Sequence, residues 1–208
     1  MREPRRHPHP LLGSAELAAD PIEQFRRWFE VAEREVPLAE AMVLASVDAG
    51  GAPDARMVLL KGYGPKGFRF FTNYESDKAA QLAANPSAAL VLYWRELDRQ
   101  VRVRGLVERL EPAESDAYFA TRARDSRLGA WASPQSRPLP GREALDGRLA
   151  EVERRFGHEE EVSRPEFWGG YLLRPATIEF WQGQQARMHD RFRYTREREA
   201  WAIERLAP

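Results

Sequence analysis

Residues 41–61 read AMVLASVDAGGAPDARMVLLK, and this stretch decides the class of fold that we predict. An apolar run over residues 41–47 is followed by the turn-forming sequence Asp48-Ala49-Gly50-Gly51, and a second run covers residues 55–61. Two short apolar runs joined by a glycine-containing turn are typical of a β-hairpin. The stretch therefore predicts two antiparallel strands.

Similar strand patterns recur on the C-terminal side of this hairpin. They cover residues 68–73, 88–94, 100–110, 168–173, 177–183, 187–194 and 200–205. Many short strands with short connections favour a closed or half-closed barrel. We therefore predict a mainly β protein with peripheral helices, of the α+β class.

The first predicted helix begins at residues 20–23, which combine an N-cap, a proline at the first helical position and an acid. Ile22, Phe25, Phe29 and Ala32 follow at helical spacing, so one apolar stripe should pack on the sheet. Further helices are predicted over residues 76–82, from residue 112 onward, and over residues 142–156.

Proline-rich sequence without periodicity makes residues 1–19 a flexible N-terminal arm, and residues 20–208 fit a single domain. Lys plus Arg and Asp plus Glu both total 32, so no overall field attracts nucleic acid or an anionic membrane. Cysteine is absent, which excludes disulfides and thiolate chemistry. No apolar run reaches the length of about 20 residues that spans a bilayer, so a cytoplasmic protein is expected.

The sequence Trp-Gln-Gly-Gln-Gln-Ala-Arg-Met-His-Asp-Arg, residues 181–191, contains the first candidate site. If the chain is extended from Arg187 onward, then Arg187, His189 and Arg191 point to the same face of the sheet. Three nitrogen-rich side chains between apolar segments suggest an anion site. A solvated edge strand that carries charges against aggregation is the open alternative.

Tyr118, Arg122 and Ser126 form the second candidate, because residues four apart share one face of a helix. A phenol, a guanidinium and a hydroxyl group together suit a phosphate. The alternative is an exposed helix face on which a cation packs against a ring.

Several cations flank apolar or aromatic segments in this chain of zero net charge. They are Arg56, Lys61, Lys78, Arg122, Arg187 and Arg191. Burial of an unpaired cation is costly, so cations at the ends of a strand predicted to be buried, such as residues 56–61, must reach solvent or an anion. One ligand with more than one phosphate, or two phosphorylated ligands, would account for all of them.

Known catalytic motifs are otherwise missing. Residues 62–67 have the letters of a Gly-x-Gly-x-x-Gly loop, but Pro65 and the strand that follows make them a turn. The phosphate-binding Gly-Lys-Ser/Thr loop and the zinc motif His-Glu-x-x-His do not occur, and no metal site is expected.

From residue 20 to the end the sequence resembles the pyridoxine (pyridoxamine) 5′-phosphate oxidase family. The matching blocks are residues 56–61, 70–73, 99–101, 124–126, 129–131, 135–136, 167–170, 179–183, 187–191 and 204–208. So many blocks in the same order make the resemblance specific. It implies an antiparallel, Greek-key split barrel that binds flavin mononucleotide (FMN) in an obligate homodimer, with two FMN sites between the subunits and a C-terminal region for dimerisation and substrate.

The resemblance also implies roles for individual residues. The FMN-binding set would be Arg56, Met57, Val58, Leu59, Leu60, Lys61, Phe71, Thr72, Lys78, Gln100, Gln135, Ser136, Trp181 and Arg191. The substrate-binding set would be Lys61, Tyr118, Arg122, Ser126, Arg187, Met188 and His189. Arg187 and His189 would lie against the pyridine ring as the catalytic pair.

The implied reaction is oxidation of pyridoxamine or pyridoxine 5′-phosphate by oxygen to pyridoxal 5′-phosphate, with release of hydrogen peroxide. No side chain accepts a hydride reversibly, so the oxidation belongs to the flavin. Three alternatives differ in class: a related flavin enzyme acting on another ring such as a phenazine precursor, a flavin carrier or sensor without turnover, and a barrel that binds single-stranded nucleic acid. The last needs a basic groove, which the charge balance opposes.

Two positions depart from the family pattern. The residue before Lys78 is usually a second cation for the flavin phosphate, and here it is Asp77, which predicts weaker flavin retention. The N-terminal arm of the family can bring an arginine and a tyrosine over the substrate. The present arm has arginines but no tyrosine.

Overall fold

The structure is a computed structural model that describes residues 11–157 and 161–208. Its strands are β1 (Ala41–Val47), β2 (Pro53–Leu59), β3 (Gly62–Gly64), β4 (Gly67–Asn73), β5 (Ser87–Trp94), β6 (Arg99–Arg109), β7 (Trp168–Gln182), β8 (Asp190–Glu197) and β9 (Ala200–Arg205). Its α-helices are α1 (Pro21–Glu35), α2 (Asp77–Ala84), α3 (Pro112–Ala120), α4 (Arg124–Ala132) and α5 (Arg142–Phe156). The predicted class, mainly β with peripheral helices, is confirmed.

All nine strands belong to one antiparallel sheet. Seven of them follow the order β2-β1-β5-β6-β7-β4-β3, and β8 and β9 lie off this path. The long strand β7 pairs with β6 along one edge and divides its other edge between two partners. Its first part, residues 168–173, pairs with β4, and residues 177–182 pair with β8, which in turn pairs with β9. The sheet therefore splits along β7, as the predicted split barrel requires.

One continuous strand replaces the two that the sequence predicted over residues 168–173 and 177–183. Pro175 lies inside β7, and the register with β6 shifts between Arg104 and Gly105. A Cβ atom on Gly105 would lie 1.9 Å from the carbonyl oxygen of Arg174. Glycine at the bulge thus lets the strand continue past the proline.

Helix α1 packs its predicted stripe on the sheet. The carboxylate of Asp20 accepts a hydrogen bond from the backbone N–H of Ile22 (2.9 Å), which caps the helix. Phe25, Phe29 and Ala32 are buried, and the Phe25 ring meets the ring of Phe68 edge to face at 4.9 Å. The core therefore lies between α1 and the inner face of the sheet.

Strand β2 is not the buried strand that its sequence predicted. It is an edge strand that pairs only with β1, and the side chains of Met57 and Leu59 are 61% and 41% exposed. Beyond β2 the backbone N–H of Lys61 donates to the carbonyl oxygen of Arg69 on β4 (2.9 Å). The apolar character of β2 thus matches an exposed surface of a single chain, which a second chain can cover.

Residues 11–19, part of the predicted flexible N-terminal arm, lie against the domain. The backbone N–H of Leu12 donates to the carboxylate of Asp190 (3.1 Å), and the Tyr194 hydroxyl donates to the carbonyl oxygen of Ala18 (2.7 Å). Residues 1–10, with the arginines of the predicted arm, lie outside the described residues. In the part of the chain that the structure describes, no helix is long and apolar enough to cross a membrane.

Candidate functional site

Four predicted flavin-binding residues from four segments meet at one end of the sheet, and we call Arg56, Thr72, Lys78 and Gln135 the anion cluster. The Lys78 ammonium donates to Gln135 Oε1 (2.7 Å), and the Thr72 hydroxyl donates to the same oxygen (2.9 Å). Arg56 extends from β2 and donates to the side-chain oxygen of Gln81 in α2 (2.7 Å). The cluster is therefore assembled within one chain.

The electrostatics of the anion cluster favour a negatively charged ligand. Burial lowers the pKa of Lys78 below its ordinary value of 10.5, and the charge of Arg56 lowers that pKa further, while Asp77 and Asp54 act in the opposite direction. Lys78 donates to uncharged oxygens, those of Gln135 and Ser76, and is not paired with a carboxylate at salt-bridge distance among the described residues. An anion between the two cations would relieve this repulsion.

Asp77 lies at the first turn of α2, beside this cluster. Arg137 approaches it, with an Nη1–Oδ1 distance of 4.0 Å, and also donates to the carbonyl oxygen of Glu75 (2.9 Å). The two charged side chains are largely exposed, so their attraction is weak. Arg137 nevertheless offsets part of the negative charge that Asp77 adds near Lys78.

An aromatic stack lies next to the anion cluster. Phe71, which neighbours Thr72 on β4, stacks on Tyr118 with 3.9 Å between ring centroids, and on Trp168 with 5.5 Å. The guanidinium of Arg122 lies 4.6 Å above the Trp168 ring. This stack supports a cation that lines a cavity.

That cavity has a volume of about 290 Å³, and Arg122, Ser126, Trp168 and Gln135 are among its lining residues. We call it the aromatic cavity. Gln135 also belongs to the anion cluster, so the two are adjacent. Burial lowers the pKa of Arg122, whose charge lacks a carboxylate partner among the described side chains.

Arg122 Nη1 is one of two buried side-chain nitrogens without a hydrogen-bond acceptor in the described residues; the other is Arg127 Nε. A buried donor that lacks a partner is costly, so Arg122 is suited to an anionic ligand.

The sequence predicted that Tyr118, Arg122 and Ser126 share one helix face. In the structure these residues do not belong to one continuous helix. Helix α3 ends at Ala120 and α4 begins at Arg124, so Arg122 lies in the connection. The turn still brings Arg122 and Ser126 to the same cavity, while Tyr118 contributes its ring to the stack. The residues come together by a helix-turn-helix path.

Lys61 lies apart from the aromatic cavity. Its ammonium is 3.8 Å from the carboxylate of Glu40, and it lines a different cavity of about 540 Å³ with Tyr63 and Phe29. Within one chain the structure does not bring Lys61 to Arg122 and Ser126 in one cavity.

At the other end of β7 lies a second group, Trp181, Arg187, His189 and Arg191, which we call the C-terminal cluster. The rings of Trp181 and His189 are 4.6 Å apart. Gln100 on β6 is the cross-strand partner of Trp181. This cluster comprises the predicted catalytic pair and part of the predicted flavin-binding set.

The prediction that an extended strand begins at Arg187 is wrong. Residues 185–187 form a short 3-10 turn, Ala186 and Arg187 have positive φ angles of 54° and 62°, and β8 begins only at Asp190. The local hydrogen bond from the Met188 N–H to the Gln185 carbonyl (3.1 Å) replaces strand pairing. Simple alternation therefore does not determine where Arg187 and His189 point.

Within this loop, the backbone N–H of Gln184 donates to Nδ1 of His189 (3.1 Å). Nδ1 is then an acceptor, and a neutral imidazole carries its proton on Nε2. His189 thus has one nitrogen that the protein holds and one N–H that is available to a ligand.

Arg191 is held more firmly than Arg187. Its Nε and Nη2 donate to Oε1 of Glu179 (2.9 and 2.8 Å), and Nη1 donates to the carbonyl oxygen of Ala207 (2.9 Å). Glu179 lies on β7 and is only 8% exposed.

The anion cluster and the C-terminal cluster lie far apart within one chain. Phe71 and Thr72 are paired with Gly170 and Gly169 near the start of β7, whereas Trp181 is close to its end. The 13 residue steps from Trp168 to Trp181, at about 3.3 Å each, amount to roughly 40 Å along the strand. The two clusters therefore lie near opposite ends of β7 in a single chain.

The remaining predicted residues flank these groups. Met57 and Leu59 point outward from β2, Val58 packs against the core and Leu60 is buried. Ser136 has a positive φ of 67° in the loop after α4, and Met188 is exposed.

Sequence reasoning assigned no role to several residues that shape these clusters. Trp168 supports Arg122, Ser76 accepts a hydrogen bond from Lys78 (3.2 Å), and Gln184 fixes His189. Glu179 carried a usable signal, because it is a lone acid between the apolar residues Ile178 and Phe180. Trp168 carried none, since its role depends on a long-range contact with Arg122, whereas the contacts of Ser76 and Gln184 are local.

Two family models match the chain. One, described as pyridoxamine 5′-phosphate oxidase, matches residues 29–156. The other, described as pyridoxine 5′-phosphate oxidase C-terminal dimerisation region, matches residues 168–208.

Curated relatives carry the same name. The chain is 53% identical over 199 residues to a pyridoxine/pyridoxamine 5′-phosphate oxidase of Cupriavidus taiwanensis, which covers 95% of this chain and 93% of the relative. It is 55% identical over 199 residues to the protein of that name from Rubrobacter xylanophilus, with 94% and 91% covered.

Solved structures agree on the fold. PhzG from Burkholderia lata 383, in complex with tetrahydrophenazine-1-carboxylic acid, has a TM-score of 0.88 at 30% identity and covers 96% of this chain and 98% of its own. A pyridoxamine 5′-phosphate oxidase-related, FMN-binding protein from Nostoc punctiforme has a TM-score of 0.73 at 21% identity, with 93% and 99% covered. The second likeness concerns the fold alone.

Proposed function

The chain belongs to the pyridoxine/pyridoxamine 5′-phosphate oxidase family of oxidoreductases, and on that premise we propose that it makes pyridoxal 5′-phosphate with FMN as cofactor and oxygen as oxidant. From the alcohol, the substrate CH₂OH and O₂ give the aldehyde and H₂O₂. From the amine, CH₂NH₂, O₂ and water give the aldehyde, ammonia and H₂O₂.

The observation that carries this proposal is the buried Arg122 Nη1 without an acceptor in the aromatic cavity. The substrates carry a phosphate, and Arg122 together with the Ser126 hydroxyl offers donors of two kinds on the same cavity wall. The stacked rings of Tyr118 and Trp168 keep this end of the cavity apolar, which strengthens a charged hydrogen bond.

FMN fits the anion cluster on the chemistry of its donors. Lys78 and Arg56 lie close enough that one lowers the pKa of the other, and the Thr72 hydroxyl is directed to the same place. When bound, FMN supplies the hydride acceptor and the reaction with oxygen, neither of which side chains provide. The protein supplies binding, orientation and protection from water.

We further propose a homodimer in which each FMN site combines the anion cluster and aromatic cavity of one subunit with the C-terminal cluster of the other. The separation of these groups along β7 supports this arrangement, as do the match to a dimerisation region at residues 168–208 and the exposed apolar side chains of β2. A two-fold axis would create two equal sites.

His189 and Arg187 are proposed to act on the pyridine ring. His189 would donate its Nε2–H to a ring substituent, since Nδ1 is held by Gln184. Arg187, on a loop with two consecutive positive φ angles, would hold the ring in a reactive orientation. Neither role requires His189 to remove a proton.

A different ring substrate, of the kind suggested by the likeness to PhzG, is the second candidate. The identity of 30% to that protein is lower than the 53–55% to the curated relatives. Arg122 in its cavity also favours a substrate with a phosphate.

The test is an absorption spectrum of the purified protein followed by a peroxide assay. We expect a bound flavin spectrum and peroxide formation with pyridoxamine 5′-phosphate, but not with unphosphorylated pyridoxamine at the same concentration. Turnover of a phenazine precursor alone would favour the second candidate. A flavin spectrum without any turnover would indicate a carrier.

A further inference from the structure

Glu179 is the one acidic residue of β7, and its side chain is almost fully buried on the face of the sheet that carries Trp181. Its neighbours Ile178 and Phe180 point into the core, so the carboxylate points to the opposite face. A buried carboxylate is stable only with charged or hydrogen-bonded partners. Glu179 has two, Arg191 and Arg102.

On β8, Glu179 does not pair with the arginine that lies directly opposite it in the strand register. Arg193 is its direct cross-strand partner on β8, yet Arg193 donates to Glu204 on β9 (2.8 Å). Glu179 instead holds the diagonal neighbour Arg191 through two hydrogen bonds to Oε1, and Arg102 approaches Oε2 at 3.3 Å. The sheet thus places Glu179 between Arg191 on β8 and its direct partner on β6, Arg102.

These contacts leave Arg191 with a defined orientation. A guanidinium has five N–H groups, of which one on Nε, one on Nη2 and one on Nη1 are used by Glu179 and the Ala207 carbonyl. One N–H on each terminal nitrogen remains for a ligand. Because the carboxylate balances its charge, the pair offers directed donors rather than a free cation.

We propose that Glu179 is a positioning residue for the flavin, acting through Arg191. This inference rests on the proposed function, in which Arg191 contacts FMN bound to the other subunit. Without the carboxylate, the Arg191 side chain could move out of the orientation in which its two remaining N–H groups contact the flavin.

The experiment measures the FMN dissociation constant from the fluorescence of flavin released on dilution of the holoprotein. We expect Glu179→Gln to weaken FMN binding about tenfold or more, the loss expected when a hydrogen bond to a charged group is broken. The matched control is Glu204→Gln, which breaks the neighbouring Arg193–Glu204 pair on the same face and should change the constant less than about twofold.

A double-mutant cycle separates positioning from a structural role. If Glu179 acts through Arg191, then Glu179→Gln has no further effect on FMN binding in an Arg191→Ala background. Equal losses in both backgrounds would overturn the proposal, as would an unchanged constant in Glu179→Gln. If Glu179→Gln fails to fold, Glu179→Asp takes its place in the cycle, with the same two criteria.

The wild type is measured first, which keeps the two ideas apart. If it retains FMN and oxidises pyridoxamine 5′-phosphate while the cycle is additive, only the role of Glu179 fails. If the wild type binds no FMN, the proposed function fails and the role of Glu179 with it.

Discussion

The anion cluster and the C-terminal cluster both collect arginine or lysine side chains, but Lys78 of the first and Arg191 of the second are held in opposite ways. Lys78 is partly buried and donates to uncharged oxygens, with a lowered pKa. Arg191 is neutralised by Glu179 and tied to the chain at three points. The first group is suited to attract an anion, and the second to orient an uncharged part of a ligand. A site for FMN would need both clusters, because the cofactor has a charged phosphate and an uncharged ring.

The anion cluster and the C-terminal cluster also lie near opposite ends of β7. In the proposed arrangement neither site would be complete in a single chain, because the ring contacts of Phe71 and those of His189 involve separate sets of partners. Association of two chains would then be required for catalysis as well as for stability. The following predictions test this division of roles.

The largest effect is expected from Arg187→Ala. Turnover with pyridoxamine 5′-phosphate should fall about a hundredfold, since a substrate that is no longer held in a reactive orientation loses roughly this factor. The FMN dissociation constant should change little, because Arg187 is exposed and belongs to the ring contacts. Steady-state kinetics and flavin release measure the two effects. Unchanged turnover would remove the proposed role.

Replacement of Lys78 should produce the opposite pattern. Lys78→Met is expected to weaken FMN binding between about tenfold and a hundredfold, because a charged hydrogen bond to phosphate is lost from a partly buried position. The turnover of protein saturated with FMN should stay near that of wild type. A matched control is Lys66→Met, which removes a lysine from the turn between β3 and β4. Equal effects of both variants would contradict the assignment.

The lowered pKa of Lys78 gives a pH dependence. As the pH rises through this lowered pKa, the ammonium loses its proton and its attraction for the flavin phosphate, so FMN affinity should fall before pH 10.5, the ordinary value for lysine. The stability of the apoprotein should change with pH in the opposite direction. Because the pKa of Lys78 is lower in the native state than in the unfolded chain, the free energy of unfolding increases as the pH rises between these two pKa values.

The measurement compares FMN affinity against pH for wild type and Lys78→Arg. Arginine stays charged over this range, so the variant should lack the decline. Parallel curves would show that another group titrates.

The smallest effect concerns Asp77. Asp77→Arg should tighten FMN binding by about threefold, because it replaces repulsion by attraction at an exposed position where charge pairs are weak. Arg137 already offsets part of the repulsion, which limits the gain. Flavin titration of Asp77→Arg and Asp77→Asn measures it. An unchanged or weaker constant in Asp77→Arg would count against a repulsive role.

The sequence predicted the fold well where local pattern and tertiary packing agree. The hairpin of β1 and β2 follows from two apolar runs joined by a glycine-containing turn, and the cap of α1 at Asp20 follows from capping chemistry. Both signals act over a few residues. The prediction failed at Pro175, because a bulge at the distant Gly105 accommodates it. Distant compensation of this kind leaves no local signal.

The sequence named candidate site residues but not their geometry. Cations beside apolar segments led to Arg56, Lys78 and Arg122, and the structure places Arg56 near Lys78 and Arg122 in a cavity. Alternation was wrong for Arg187 and His189, since a turn with positive φ angles precedes β8. Their functional roles stay predictions. The separation of the two clusters could not be predicted from the sequence, because it depends on the pairing of β7 with β4 in its first part and with β8 in its last part.

The central claim, that each site takes residues from two subunits, is tested by mixed dimers. Arg122→Ala disables the aromatic cavity and Arg187→Ala disables the C-terminal cluster, so each variant alone should be nearly inactive. When the two are unfolded together and refolded as a mixture, half of the dimers contain one chain of each kind. Each such dimer has one intact site, so activity should recover to about one quarter of wild type. Activity that stays at the level of the separate variants would contradict a shared site.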